Sequence, residues 1–392
     1  MSIDIQGMQT DLLSARVDGW LFYDFRGRDP IAQRILKLPE AMRTRRWFYF
    51  VPANGIPRKL VHKIESQALE SLPGEIVYYA GLQELEKGLK KILGRANTVS
   101  MQYSPKNAIP YISMVDAGTI EMVRSLGAKV VSSADLVQKY EACWTDEQLR
   151  SHEEAGKAID IIVRAAFQHA AKRVRDRTPL TEFELKQWIQ GGFDAAGLHA
   201  EEGPDVAVGA HASDPHYGPT PDTAAPIRKD DLLLLDVWGK LKAPGSVYYD
   251  ITWIGYLGKK VPKKYAEVFT TVKNARDKAV ELICSSASAG KPLQGWQVDK
   301  AARTVIEKAG YGKYFFHRTG HNIGETVHGN GANMDGLETH DVRRLIPRTC
   351  TSVEPGIYLP EFGIRSEVNV YIEERSARVT GAVQKEILAL LA

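Results

Sequence analysis

Cysteine is scarce in this chain. Cys143, Cys284 and Cys350 are three thiols in 392 residues, an odd number without C-x-x-C spacing. That rules against a disulfide framework and points to a reducing compartment, the cytoplasm. Long apolar runs are missing as well: Leu232–Leu235 is representative of the longest and is far too short to span a bilayer. No charged-then-apolar leader opens the sequence, so the protein is expected to stay where it is made. The formal charge is only +3, so nothing in the balance calls for nucleic acid or an acidic membrane. The densest basic run, Arg43-Thr44-Arg45-Arg46, reads as a solvated or interface patch rather than a polyanion site. No H-E-x-x-H zinc helix occurs. The Gly-rich GNGANMDG at 329–336 lacks both G-x-G-x-x-G and Walker spacing, which argues against a phosphate loop.

What is present is an ordinary globular composition, 44% apolar and 25% charged, with length for two domains. The first 143 residues alternate strand-like runs, WLFYDF (20–25) and RWFYFVP (46–52), with helical stretches such as RKLVHKIESQALESL (58–72), the pattern of an open α/β domain. A T-x-x-Q capping box, Thr145 to Gln148, predicts the start of a long helix. Ile159, Ile162, Val163, Ala166, Phe167, Ala170 and Val174 form its buried stripe. The domain boundary is therefore placed just before it, giving domains 1–143 and 144–392. The second zone repeats one architectural unit: a helix after the Thr181–Glu184 capping box and strands over 206–257, then helices from Pro262 and from Trp296, then further strands. The fold class is α/β (α+β), with pseudo-two-fold helix-helix-strand-strand halves whose sheets project side chains into one cleft.

Candidate chemistry concentrates in that second zone. TGHNIG (319–324), EPGIY (354–358) and IRSEVNV (364–370) carry His321, Glu354 and Glu367, while Asp236 and Asp250 sit on a predicted hairpin, LLLLDVWG to VYYDITW. The turn containing Pro244 and Gly245 could bring the two aspartates face to face at the same height. Four carboxylates packed together would repel and take up protons, whereas two divalent cations balance their charge. The same cations would depress the pKa of a bridging water, giving a nucleophile at neutral pH. His317 and His328 flank His321 in FFHRTGHNIGETVHGNG and can face the substrate, where an imidazole polarises a carbonyl or assists proton transfer.

The five residues, in the contexts YYDIT, GHNIG, EPGIY and RSE, resemble those of the pita-bread metallopeptidases, specifically the Xaa-Pro dipeptidase (prolidase) and Xaa-Pro aminopeptidase branch. The likeness covers the whole C-terminal zone and, more loosely, the N-terminal one, which resembles the creatinase-type domain of that branch. Methionine aminopeptidases share the metal set but usually lack so large an N-terminal domain. Creatinase shares both domains but not the complete metal set. The resemblance implies that Asp236 binds one metal, Asp250 and Glu367 bridge two, and His321 and Glu354 complete the set, with manganese first and cobalt or zinc as alternatives. It makes Glu354 the proton shuttle, His328 a contact to substrate and tetrahedral intermediate, His317 a supporting residue, and His216 in SDPHYGPT a third histidine of the site. Arg365 is expected to orient Glu367 or another site acid from the same strand face. Prolidases place an arginine ahead of the EPGIY motif to clamp the substrate carboxylate. Here THDVRRLIPR offers Arg343 and Arg344, so Arg343 is the candidate. The implied activity is hydrolysis of the bond before proline in dipeptides, or in longer Xaa-Pro peptides, by a homodimer. A catalytically silent peptide-binding homologue is the alternative from another class.

Overall fold

The aromatic runs at 20–25 and 46–52 become the paired centre of an N-terminal sheet. In the computed structural model, which describes residues 3–392, strands β1 (Gly19–Asp24) and β2 (Trp47–Pro52) are buried along their whole length, as β-branched and aromatic residues are in a sheet covered on both faces. They are joined by β3 (Arg58–His62), β4 (Glu75–Tyr79), β5 (Thr98–Met101) and β6 (Lys129–Ser132) in the order β4-β3-β2-β1-β5-β6. β2 alone runs against the other five. The helices α1 (Ile5–Ala15), α2 (Pro30–Ile35), α3 (Leu82–Leu93), α4 (Ala117–Ser125) and α5 (Ala134–Glu141) cover it, with separate cores on its two sides. One expectation fails here. Residues 58–72 are not a helix but β3, a short 3-10 turn and loop, because Leu60 and Val61 are taken into the sheet between β2 and β4. Their apolar spacing suited either period, and the pairing decided it.

Residues 1–141 and 142–392 form separate compact units. In the second, α6 (Asp146–Arg175) opens at the expected capping box: Thr145 Oγ1 accepts from Gln148 N at 3.2 Å, and Gln148 Oε1 accepts from Thr145 N at 2.9 Å. Its predicted stripe from Ile159 to Ala170 is buried. α7 (Glu182–Ala195) starts at the Thr181–Glu184 box. Then come β7 (Leu198–His199), β8 (Asp205–Val208), β9 (Leu232–Leu241) and β10 (Tyr249–Tyr256). The second half follows with α8 (Lys263–Ser288), α9 (Gly295–Lys308), β11 (Asn322–Ile323), β12 (Cys350–Val353), the hairpin β13 (Gly356–Leu359) and β14 (Phe362–Arg365), β15 (Val368–Ile372), β16 (Ala377–Thr380) and β17 (Leu388–Ala389). One sheet has the order β17-β10-β9-β7, with β8 also on β9, and the other is β11-β12-β15-β16. Alternate residues of the first sheet divide between two cores. Val206, Leu233, Leu235, Val237 and Ile251 pack with α6, while Ala207, Leu232, Leu234 and Ile254 pack with Val353, Ile364 and Val368 of the second half. Each such side chain contributes about 1.5–3 kcal/mol of burial. None of the three cysteines forms a disulfide among the described residues, and no described helix is long and apolar enough to cross a membrane.

His152 of α6 ties the helix to the sheet and gives this unit a pH response. Its ring is buried, with Nδ1 2.6 Å from the Tyr248 carbonyl and Nε2 2.7 Å from Thr380 Oγ1. A carbonyl can only accept, so Nδ1–H donates and Nε2 accepts from the threonine. Burial lowers the ring's pKa from 6.5 to about 4. A folded pKa below the unfolded one makes the stabilisation complete above about pH 6.5 and progressively lost as pH falls to about 4, a loss of about 3 kcal/mol. Urea denaturation of wild type and His152→Gln should show their stability difference shrinking by that amount from pH 7 to pH 4. A pH-independent difference would refute the assignment.

Candidate metal centre

The antiparallel register of β9 and β10 sets the first two acids. Asp236 stands opposite Thr252, and Asp250 opposite Trp238, so the aspartates are two residues out of step rather than at the same height. An even offset still leaves them on one face. Asp205 of β8, directly opposite Asp236, joins them there. The second half supplies the rest from strand ends rather than strand interiors. Glu354 follows the last residue of β12 and Glu367 precedes the first of β15, next to the paired Val353 and Val368. His321 precedes β11, with its N–H donating to Ser352 Oγ at 2.9 Å and its carbonyl accepting from Ser352 N at 2.8 Å. Gly320 permits that approach, since a Cβ there would lie 2.1 Å from the Ser352 carbonyl oxygen. The halves are joined by Asn369 Nδ2 donating to the Asp250 carbonyl at 2.8 Å and by Thr252 Oγ1 donating to Glu367 Oε2 at 2.9 Å.

All five candidate ligands therefore converge. Asp250, His321 and Glu367 are buried and offer ligand atoms within 4.8 Å of one another. His321 Nε2 lies 3.6 Å from Asp250 Oδ2 and 3.4 Å from Glu354 Oε1. Arg365 reaches Asp236 Oδ2 with Nη2, Thr252 Oγ1 with Nε at 3.0 Å and Tyr358 Oη with Nη1 at 3.1 Å. It thus orients Asp236 directly and Glu367 only through Thr252. The chain leaves β14 at Arg365, so Glu367 does not share its strand.

The electrostatics show what the cluster needs. Burial raises the Asp250 and Glu367 carboxyls well above the ordinary range, and repulsion from neighbouring acids adds to it. Burial, opposed by Arg365 and reinforced by Asp250 and Asp236, pushes Glu354 to about 8. Asp236 Oδ1, Asp250 Oδ1 and Glu367 Oε1 are buried without a hydrogen-bond partner. His321 Nδ1 is 3.2 Å from the Asn322 carbonyl, which requires Nδ1–H and leaves the Nε2 lone pair aimed at carboxylates. Lone pair against carboxylate, with three orphaned carboxyl oxygens beside it, is repulsive unless the acids take up protons or a cation lies between. The donor set, oxygen-rich with one imidazole, fits divalent metal.

The remaining expected site residues divide. His328 is exposed, its ring edge-on to His321 at 4.3 Å between centroids, and His321, then burial, Arg318 and His216 lower its pKa. His216 is exposed, next to Pro215, whose carbonyl is 3.4 Å from Arg365 Nη1. His317 reaches the cluster only indirectly. Its Nδ1–H meets the Arg318 carbonyl at 2.6 Å, and its Nε2 takes the Tyr358 hydroxyl at 2.8 Å, which in turn accepts from Arg365. Arg343, expected as the carboxylate clamp, is buried with its guanidinium on Asp341, at 3.0 Å from Nε and 2.6 Å from Nη2, and on the Asn330 carbonyl at 2.7 Å. It fastens the 330–341 loop instead. Arg344 is exposed. Thr252, Tyr358 and Asp205 are parts of the site that sequence reasoning missed. T in YYDIT, two residues after Asp250, was the available signal for Thr252.

A cleft in which two sheets present four carboxylates and an imidazole defines a metal-dependent hydrolase. Residues 151–374 match metallopeptidase family M24, and the chain belongs to that family, whose pita-bread fold it has. Among relatives, an Xaa-Pro dipeptidase of Lactobacillus helveticus is 31% identical over 225 residues, 57% of this chain and 55% of that enzyme. The putative dipeptidase YkvY of Bacillus subtilis is 29% identical over 325 residues, 81% of this chain and 80% of its own length. The match thus spans little more than half of the first relative and four-fifths of the second. Among solved structures, dipeptidase PepE from Mycobacterium ulcerans superposes with a TM-score of 0.71 at 22% identity, covering 98% of this chain and 96% of that one.

Proposed function

We propose that the protein is a dinuclear-metal Xaa-Pro dipeptidase. The observation that carries this reading is the convergence of Asp236, Asp250, His321, Glu354 and Glu367 around three buried carboxylate oxygens that have no partner. Asp236 would hold one cation, Asp250 and Glu367 both, with His321 and Glu354 completing the set. Bound there, two divalent cations, manganese first, would acidify water and polarise the scissile carbonyl. The chain's own groups do the rest. Glu354 accepts the proton of the attacking water and returns it to the proline nitrogen, which cannot leave unprotonated. Its Oε1 takes the Ser352 hydroxyl at 3.2 Å and its Oε2 lies 3.9 Å from Arg365 Nε, which fixes the carboxylate while leaving it able to exchange a proton. The Arg365–Tyr358–His317 chain keeps Asp236 in place from the other side. An Xaa-Pro bond has no N–H to satisfy, so a site that works through the carbonyl and the departing nitrogen loses nothing there.

The direct test is to deplete the protein of metal, reload it with manganese, cobalt or zinc, and compare an Xaa-Pro dipeptide with an Xaa-Pro-Xaa tripeptide. Preferred turnover of the dipeptide is expected. Preference for the tripeptide would make it an Xaa-Pro aminopeptidase, and no hydrolysis with any metal would leave a silent peptide-binding homologue. His328, placed against His321 and open to the cleft, we assign to the substrate and its tetrahedral intermediate, with His216 on the neighbouring loop. His328→Ala should lower kcat by about a hundredfold with metal content unchanged. Stoichiometric loss of metal from that variant would instead make His328 a ligand-supporting residue.

A further inference from the structure

The N-terminal unit has a cavity of about 640 Å³ at the edge of its sheet where the parallel strands end. Its floor comes from Tyr23 at the end of β1 and Tyr79 at the end of β4, and both rings are buried. Carboxyl ends of parallel strands are where open α/β sheets receive ligands, since loops diverge there and helices begin. Two helices begin at this cavity. α3 follows its N-cap Gly81, which supplies no side-chain cap, and α4 follows its N-cap Asp116, whose carboxylate accepts from Thr119 N, so two helix N-termini border one space.

Three arginines converge on the same space: Arg28, Arg45 and Arg46. Ion pairs in this unit join Arg34 to Glu141, Lys63 to Glu84 and Lys139 to Asp11. None of these takes Arg28, Arg45 or Arg46. Arg28 lies over the Phe25 ring at 5.5 Å, and Arg45 Nη1 donates to the Thr44 hydroxyl at 2.8 Å while its charge also acts on the Glu65 carboxylate. Tyr79 Oη donates to the Arg46 carbonyl at 2.6 Å, and the Arg46 side chain lines the same space, where its charge opposes the burial-driven rise in the pKa of both tyrosines. Nearby acids are engaged in shaping the walls. Asp116 accepts from Thr119 N at 2.8 Å and Oγ1 at 2.9 Å, Glu84 accepts from Ala80 N at 2.7 Å, and Glu65 holds Thr44 N at 2.8 Å and Arg45 N at 3.1 Å. The basic run that reads from sequence as one patch is thus divided. Arg43 is spent on the Ala68 and Pro39 carbonyls, while Arg45 and Arg46 turn to the cavity.

We propose that this cavity binds a nucleoside monophosphate. Guanidinium forks match phosphate oxygens, and the Phe25 ring and the Met122 and Leu82 side chains offer apolar surface for a planar base. The volume suits a ligand of that size and not a polymer. No phosphate loop is involved, which is why the sequence carries no nucleotide signature. The proposal uses residues of the N-terminal unit alone and does not depend on the peptidase reading.

Isothermal titration of the full-length, metal-loaded protein with AMP, adenosine and pyrophosphate tests it. AMP should bind about tenfold or more tightly than adenosine or pyrophosphate, and Arg28→Ala/Arg46→Ala should weaken AMP by about tenfold or more. Arg28→Ala/Arg45→Ala, which alters only exposed side chains, serves as the second variant with the same direction expected. Absence of AMP binding, equal binding of pyrophosphate and AMP, or binding that survives both variants and disappears on chelation would each overturn the proposal.

Discussion

Glu367→Ala should reduce peptide hydrolysis by more than about a thousandfold, about 4 kcal/mol of transition-state stabilisation, and should do so without unfolding the protein. The argument runs through charge. Glu367 is buried among Asp250, Glu354 and Asp236, and its carboxyl is raised well above the ordinary range by burial first and by those neighbours second. In metal-free protein, ionised Glu367 therefore opposes folding, and alanine relieves that cost at the loss of one hydrogen bond, from Thr252. In metal-loaded protein the same carboxylate is the group proposed to bridge both cations, so its removal empties the cluster. The two states should respond with opposite signs: bound metal, counted by elemental analysis, should fall with activity, while the melting temperature measured in chelator should hold or rise. Near-normal turnover with full metal occupancy would remove Glu367 from the site.

That contrast bears on what a sequence can reveal. The five converging positions were legible because each lies in a short segment whose neighbours serve it locally: Gly320 admits the backbone before His321, and Pro355 and Gly356 turn the chain after Glu354. The capping boxes at Thr145 and Thr181 were legible for the same reason, since donor and acceptor lie three residues apart. Features that depend on pairing between distant segments were not. The two-residue offset of Asp236 and Asp250 follows from where the hairpin closes, about residue 244, eight residues after Asp236 but six before Asp250. The start of the segment 58–72 became a strand, β3, because β2 and β4 were there to receive it. Arg343 looked available because Asp341, two residues away and fully buried, gave no sign in sequence that it would need a cation. Local chemistry is written in the sequence, whereas register and the assignment of buried charges emerge only with the tertiary structure.

Arg365 is where those two kinds of information meet, and Arg365→Met should lower kcat/KM by about a hundredfold. Methionine approximates the volume of the buried arginine stem but cannot reach Asp236, Thr252 and Tyr358 at once. Asp236 then loses the group that aims it, Thr252 loses the donor that complements its own bond to Glu367, and the tyrosine hydroxyl that holds His317 loses a donor. Because the arginine also opposes the upward pressure on the Glu354 and Asp250 carboxyls, its loss should favour their protonated forms and weaken metal binding most at low pH. Arg365→Lys separates charge from geometry. An ammonium keeps the positive charge but lacks the planar fork, so metal affinity should recover further than turnover. Titrating metal into both variants at two pH values, alongside kcat and KM, measures each part. If Arg365→Met bound metal and turned over substrate like wild type, the positioning role would be wrong. If Arg365→Lys restored turnover completely, charge alone would account for the residue and the fork would be dispensable.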